Sequence, residues 1–430
     1  MGHVQDRAAV ALARIETSER DAGTIFVELS AERILAEAAA VDARHESGET
    51  LPLYGTLVSL KDLVDEAGQR TTAGSRLLAE REPATADAEI VRRLKAAGAL
   101  PFGRTSMSEF AYSGVGLNPH HGTPGNVFDE RLVPGGSSSG AALGVALGWC
   151  DAAIGTDTGG SVRIPAAVNG LVGFKPTQGT VPREGVHALS DTFDSVGPIA
   201  PDLDTVLRYH EVLCDASPGT FANAAPPERP LRLAVPSGAF VNDLDETVAS
   251  TFGEVRTRLA EAGHELVTVE LSAVAEAASA VRVIVSSEAL AQYADDLETL
   301  ERIGDRNVLS RIRAADDFSA EDVTEAHALR RRAGEIFGAA LEGFDALIAP
   351  TVAIETPTIE RAARDFDTVN PTMLRNTTLI NLSGGCALTL PVRREGRSPG
   401  ALMIAGPAGA DARVIAASRE LAGSAPIGGA

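Results

Sequence analysis

Two serines, Ser137 and Ser161, each follow a pair of glycines and stand 24 positions apart, in the stretch PGGSSSGAALGVALGWCDAAIGTDTGGSVRIP from Pro134 to Pro165. Paired glycines admit backbone angles closed to other residues and leave main-chain N–H groups free to face a ligand. Both serines are therefore candidates for nucleophilic chemistry. A serine attacks only after losing its proton, and the usual acceptor is a histidine. The chain holds eight histidines, none of them in a motif near either cluster. A different base stands upstream. Lys61 falls near the end of the apolar run LVSLKDL, from Leu57 to Leu63, which reads as a buried strand. Burial disfavours the ammonium form and lowers a lysine's pKa toward neutrality, which turns it into a general base. Serine and lysine together are an attested variant of the catalytic triad.

Lys61 in LVSLKD, then PGGSSSG at 134–140, then GTDTGGSVRIPAA at 155–167 resemble, in that order and with that serine spacing, the amidase signature family of serine hydrolases. LVGFKPTQG at 171–179, DSVGPIA at 194–200, FDALIAPT and LINLSGGCALTLPV extend the resemblance over nearly the whole chain. It implies Ser161 as nucleophile, Ser137 as a second serine preceded by a cis peptide bond, and Lys61 as base. It also implies an oxyanion hole built from the main-chain N–H groups of Thr158, Gly159, Gly160 and Ser161, where glycines keep side chains clear of a substrate carbonyl. By the same resemblance Tyr112, Ser113 and Gly114 in SMSEFAYSGVG lie where relatives line the pocket, with Arg375, Asn376 or Asn381 opposite. Asp157 and Arg163 flank the nucleophile. They read as an ion pair that holds the loop, the alternative being that Arg163 grips a substrate carboxylate.

The implied reaction is hydrolysis of a small carboxylic amide to an acid and ammonia or an amine, through an acyl-Ser161 intermediate, with no metal and no organic cofactor. The same resemblance includes glutaminase-type subunits of amidotransferases and hydrolases of aryl amides, ureas or carbamates. A non-catalytic scaffold is disfavoured by the intact Lys61, Ser137 and Ser161. The YSGVGLNPHHGTPGN run resembles members acting on small polar amides, carboxylated ureas among them, and an aromatic content of 4% suits a pocket not built for long apolar chains. A competing reading takes Gly136 to Gly140 as a G-x-S-x-G nucleophile elbow with Ser138 as nucleophile. That elbow must follow a buried strand, which Asp129 to Gly135 does not supply, and His187, His210, His264 and His327 lack a context that favours any as its base.

These residues need a scaffold, and helix and strand signals alternate along the chain. Thr85 to Ala97 carries Ile90, Val91 and Leu94 on one face and stops at Gly98 before ALPFG. Asp245 to Ala262 carries Val248, Phe252, Val255 and Leu259 and stops at Gly263 before ELVTVEL, and Glu321 to Leu341 precedes FDALIAPT. The alternation is that of a sheet covered by helices. The resemblance implies the α/β class, a single large mixed β-sheet covered by helices on both faces, in a single domain over residues 1–430. A helical segment over about residues 1–50 is expected to pack on the core. Residues 215–230 read as an exposed connector and residues 353–372, with Pro357 and Pro371, as a long loop covering the site.

With 44% hydrophobic residues in 430, a large core is available, and the formal charge of −21 argues against a nucleic-acid partner. Cys150, Cys214 and Cys386 are scattered and read as small core residues of a reducing compartment. The first residues are amphipathic rather than apolar, which argues against a signal peptide. Asp6 departs from the myristoylation pattern, and no window reaches the ~18 apolar residues of a membrane span. The expectation is a cytoplasmic enzyme with a small-molecule amide substrate and no membrane partner, assembling as a homodimer.

Overall fold

The computed structural model describes residues 2–394, 398–423 and 427, so residues 1, 395–397, 424–426 and 428–430 of the expected 1–430 domain lie outside the described residues. The described strands are β1 (Phe26–Glu28), β2 (Leu57–Lys61), β3 (Leu100–Thr105), β4 (Ala152–Asp157), β5 (Val172–Lys175) and β6 (Ser195–Ala200). They continue with β7 (Arg232–Pro236), β8 (Glu265–Val269), β9 (Ala346–Pro350), β10 (Cys386–Val392) and β11 (Gly400–Gly406). All eleven join in one sheet of order β1-β3-β2-β4-β6-β5-β10-β11-β9-β7-β8. The sheet is mixed: β2 runs parallel to β3 and β4, and β4 runs antiparallel to β6.

Side chains alternate between the two faces of a strand, yet Leu57, Val58, Ser59, Leu60 and Lys61 are all buried. Both faces of the sheet are therefore covered at β2, which is why its sequence reads as a continuous run rather than an alternation. One cover is the helix Ser139–Ala146, packed on β2, β4 and β6. The helices His3–Glu16 and Ala31–Glu46 pack on each other, and the second packs on β3. Asp42 ties them by accepting from the Val4 and Gln5 amides at 3.0 and 3.1 Å.

The expected helices at 245–262 and 321–341 appear as Glu246–Glu261 and Ala320–Ala340. The one expected from Thr85 starts only at Glu89, because Asp87 is committed to the Ala67 amide at 2.8 Å and to Lys95 Nζ at 3.1 Å. The larger correction is at 353–372. It holds two helices, Ile359–Arg364 and Phe366–Leu382, in place of a long loop. Phe366, Val369, Met373, Thr377 and Ile380 recur three and four residues apart and are buried along one face, a helical period that outweighs Pro371. Pro371 removes one backbone donor near the first turns, where the neighbouring Asp367 is exposed and water can satisfy the freed carbonyl. The connector at 215–230 contains neither helix nor strand. Cys150 and Cys386 are buried, whereas Cys214 is half-buried at a helix end, and all three are free thiols. No helix among the described residues is long and apolar enough to cross a membrane.

Candidate active site

Parallel pairing of β2 with β4 aligns Val58 with Ala152 and Leu60 with Ile154, so the two strands end at the same edge of the sheet. That edge receives Lys61 from β2, and Thr156 and Asp157 from β4, just ahead of the loop that carries Ser161. Ser137 enters from the turn before the helix Ser139–Ala146, and the Gly136–Ser137 peptide is cis. The two glycine–serine loops are joined directly, since the Ser138 amide donates to the Ser161 carbonyl at 3.3 Å. Gly160 has φ 142°, and a Cβ there would fall 2.2 Å from Thr377 Oγ1, so only glycine fits.

Lys61 Nζ lies 2.7 Å from Ser137 Oγ and 2.8 Å from Thr156 Oγ1, and the lysine is fully buried. Removal from water lowers its pKa to about 7, against the pull of the Asp194 and Asp157 charges that favour the ammonium form. Near neutral pH a large fraction of Lys61 is thus a free amine within hydrogen-bond distance of the Ser137 hydroxyl.

The Gly159 carbonyl accepts from Thr377 Oγ1 at 2.6 Å and Thr378 Oγ1 at 3.1 Å. A trans peptide points its C=O and N–H in opposite directions, so the Gly160 N–H is turned away from those hydroxyls. Among the described residues, the amides of Gly159, Gly160 and Ser161 have no protein acceptor. Thr158 Oγ1 donates to Asp194 at 2.5 Å, and Asp194 also accepts the Leu189 amide at 2.8 Å, bracing the start of the loop. Burial pushes the Asp194 carboxyl up from its ordinary value, with these donors opposing the rise.

Asp157 and Arg163 form the loop-holding pair, with Arg163 Nε and Nη2 donating to the two carboxylate oxygens at 3.0 and 2.9 Å. Burial alone would raise the Asp157 pKa, but the Arg163 guanidinium outweighs it and holds the carboxyl at about 2. Asn381 bonds both partners, and Arg163 is fully buried, which corrects the alternative that it grips substrate: every side of its guanidinium is spent within the protein. Both charges are 0% exposed. Removing one would strand the other, and Asp157→Ala is expected to cost about 3–5 kcal/mol in chemical denaturation; a loss below ~1 kcal/mol would contradict the assigned role.

Tyr112, Ser113, Thr158, Gly159, Ser161 and Arg375 line one cavity of about 650 Å³. Gly114 stands behind this wall rather than on it. Its amide donates to Asn370 Oδ1 at 2.8 Å, and a Cβ would meet Leu374 at 2.8 Å. Asn376 is likewise structural, donating to the Phe240 and Pro350 carbonyls at 3.1 and 2.7 Å. The elbow reading lacks both its requirements: no strand precedes Ser138, and the buried Ser138 Oγ has no hydrogen-bond partner among the described residues. Sequence reasoning missed Arg282 and Arg311, which also line the cavity. They lie on helices far from either serine cluster, in segments with no local signature.

The Amidase family matches residues 8–415. The chain is 36% identical over 393 residues to a 2-amino-5-chloromuconic acid deaminase of Comamonas testosteroni, covering 89% of this chain and 84% of that one. It is 34% identical over 419 residues to a glutamyl-tRNA(Gln) amidotransferase subunit of Halorhodospira halophila, with 89% and 86% coverage. A solved amidase structure superposes with TM-score 0.86 at 29% identity, over 96% of this chain and 94% of that one.

Proposed function

The chain belongs to the amidase signature family and is a hydrolase of amide carbon–nitrogen bonds, and from that premise we propose that it cleaves a small amide through a Lys61–Ser137–Ser161 relay. The observation that supports the relay is the fully buried Lys61 amine 2.7 Å from Ser137 Oγ, beside a cavity that Ser161 lines. Neutral Lys61 takes the Ser137 proton while Ser137 takes that of Ser161, whose oxygen attacks the amide carbon. The oxyanion develops against the free amides of the loop 158–161. The proton passes back through Ser137 to the leaving nitrogen, and water activated by the same groups hydrolyses the acyl-Ser161 ester. We read residues 1–430 as one domain, since strands from Phe26 to Gly406 share one sheet. The unpaired cysteines support a cytoplasmic setting.

A base that works as a free amine imposes a sign on the pH dependence. Below a pKa of about 7 the neutral fraction of Lys61 falls about tenfold per pH unit, so kcat/KM is expected to rise with pH along an acidic limb centred near 7. Ammonia release from a panel of small amides by the purified chain, followed from pH 5 to 9, checks both the reaction and the limb. Activity flat across that range would contradict a lysine base. The resemblance to the glutamyl-tRNA(Gln) amidotransferase relative supports a second reading, a glutaminase that needs a partner. Turnover of simple amides by the chain alone would exclude it.

A further inference from the structure

The cavity beside Ser161 is lined by three arginines, Arg282, Arg311 and Arg375, against one carboxylate, Asp367, among its described lining residues. The whole chain carries a formal charge of −21, so this cationic chamber runs against the surrounding composition. A guanidinium does not become neutral in proteins, and a buried donor without an acceptor is costly. Two such donors sit here, because Arg311 Nη1 and Arg375 Nη2 are both buried and lack any hydrogen-bond partner among the described residues. Asp367 is exposed, and Asp243 acts on Arg375 only as a neighbouring charge. Tyr112 interacts with the Arg311 guanidinium, but no described residue accepts from Arg311 Nη1 or Arg375 Nη2.

Arg311 is also held in place. Its guanidinium carbon stands 4.2 Å from the centre of the Tyr112 ring, which fixes the plane of the group on the cavity wall. The helix Arg306–Arg313 that carries it begins at Asp305, whose amide donates to the buried Glu109 carboxylate at 2.6 Å. Glu109 accepts from Ser75 Oγ at 2.6 Å as well and lies 2.9 Å from His120 Nε2. A fixed guanidinium with an open donor is a receptor for a planar anion, and a carboxylate matches it in charge and geometry. The same lining includes the aliphatic Ala275, Ala278, Val281 and Leu374, which suits a short carbon chain.

From this arrangement we propose that the substrate is an amide whose acyl chain ends in a second acid group: its carboxylate is held by Arg311 and Arg375, with Arg282 at the mouth, while its amide carbon lies at Ser161. The proposal rests on the reading that Ser161 carries out the hydrolysis. Two measurements separate them. Ammonia release by the full chain is compared between the half-amides of succinic, glutaric and adipic acids and the neutral amides of equal length, and binding of the same half-amides to the Ser161→Ala protein is measured by calorimetry. At the best chain length the half-amide is expected to exceed its neutral counterpart in kcat/KM by about 30-fold or more. Arg311→Gln and Arg375→Gln should each lower that ratio about tenfold or more, chiefly through KM for the half-amide, with Arg311→Lys retaining part of it. Neutral amides turned over as well as half-amides, or a ratio unmoved in both variants, would overturn the proposal and leave hydrolysis at Ser161 standing. Half-amide binding that Arg311→Gln abolishes, without ammonia release by the wild-type chain, would uphold the anion site and overturn the hydrolytic reading. Neither binding nor release would overturn both.

Discussion

Ser161→Ala is expected to lower turnover of any accepted amide by about 10⁴-fold or more, with the fold unchanged. The size of the loss follows from the role the proposed relay gives the hydroxyl: without it no acyl-enzyme would form, and the amides of residues 158–161 would act only on attack by water. The fold should survive because the loop is held by groups other than the Ser161 hydroxyl. Arg163 pairs with Asp157, and Thr377 and Thr378 bind the Gly159 carbonyl. Steady-state ammonia release together with thermal unfolding checks the expectation. Residual activity above about a hundredth of wild type would remove Ser161 from the chemistry, whereas a large fall in melting temperature would contradict the expectation that the loop stands without this hydroxyl.

Lys61→Arg tests the base apart from its charge. Arginine keeps a cation on β2 but does not surrender its proton near neutral pH, so proton transfer from Ser137 has no acceptor. General-base catalysis is worth about 10²–10⁴-fold, and here the base also gates the nucleophile, so a loss near the upper end is expected. The bulkier side chain must fit where Lys61 Nζ meets Ser137 and Thr156 at 2.7 and 2.8 Å, and a few kcal/mol of stability at most should go with it. The remaining trace should also lose the acidic limb near 7 expected of the wild type, a change that simple misfolding would not produce. A folded variant with near wild-type kinetics would reopen the search for another base.

What could be read from the sequence depended on whether a residue's role was local. The glycine–serine loops, Lys61 at the end of an apolar strand and the Asp157–Arg163 pair depend on neighbours a few positions away or on elements the apolar periodicity reveals. The sheet was legible for the same reason, since strands buried on both faces read as unbroken apolar runs. The helix Phe366–Leu382 was hidden by Pro371, although Phe366, Val369, Met373 and Thr377 already marked its buried face. Arg311 had no local mark at all. Its place on the cavity wall comes from Glu109, which is 196 positions away from Asp305 in the chain and accepts its amide. Likewise Gly114 falls beside residues that do line the cavity, and only the structure shows that its amide is taken up by Asn370.

The central claim, that Ser161 carries the acyl group in the relay from Lys61, is tested most directly by trapping. The protein is treated with an acylating or phosphonylating serine probe, digested, and the modified residue located by mass spectrometry. A single adduct on Ser161, absent from Ser161→Ala and strongly slowed in Lys61→Arg, is the expected result; an adduct on Ser138, or labelling of Ser161 at an undiminished rate without the lysine, would contradict the account.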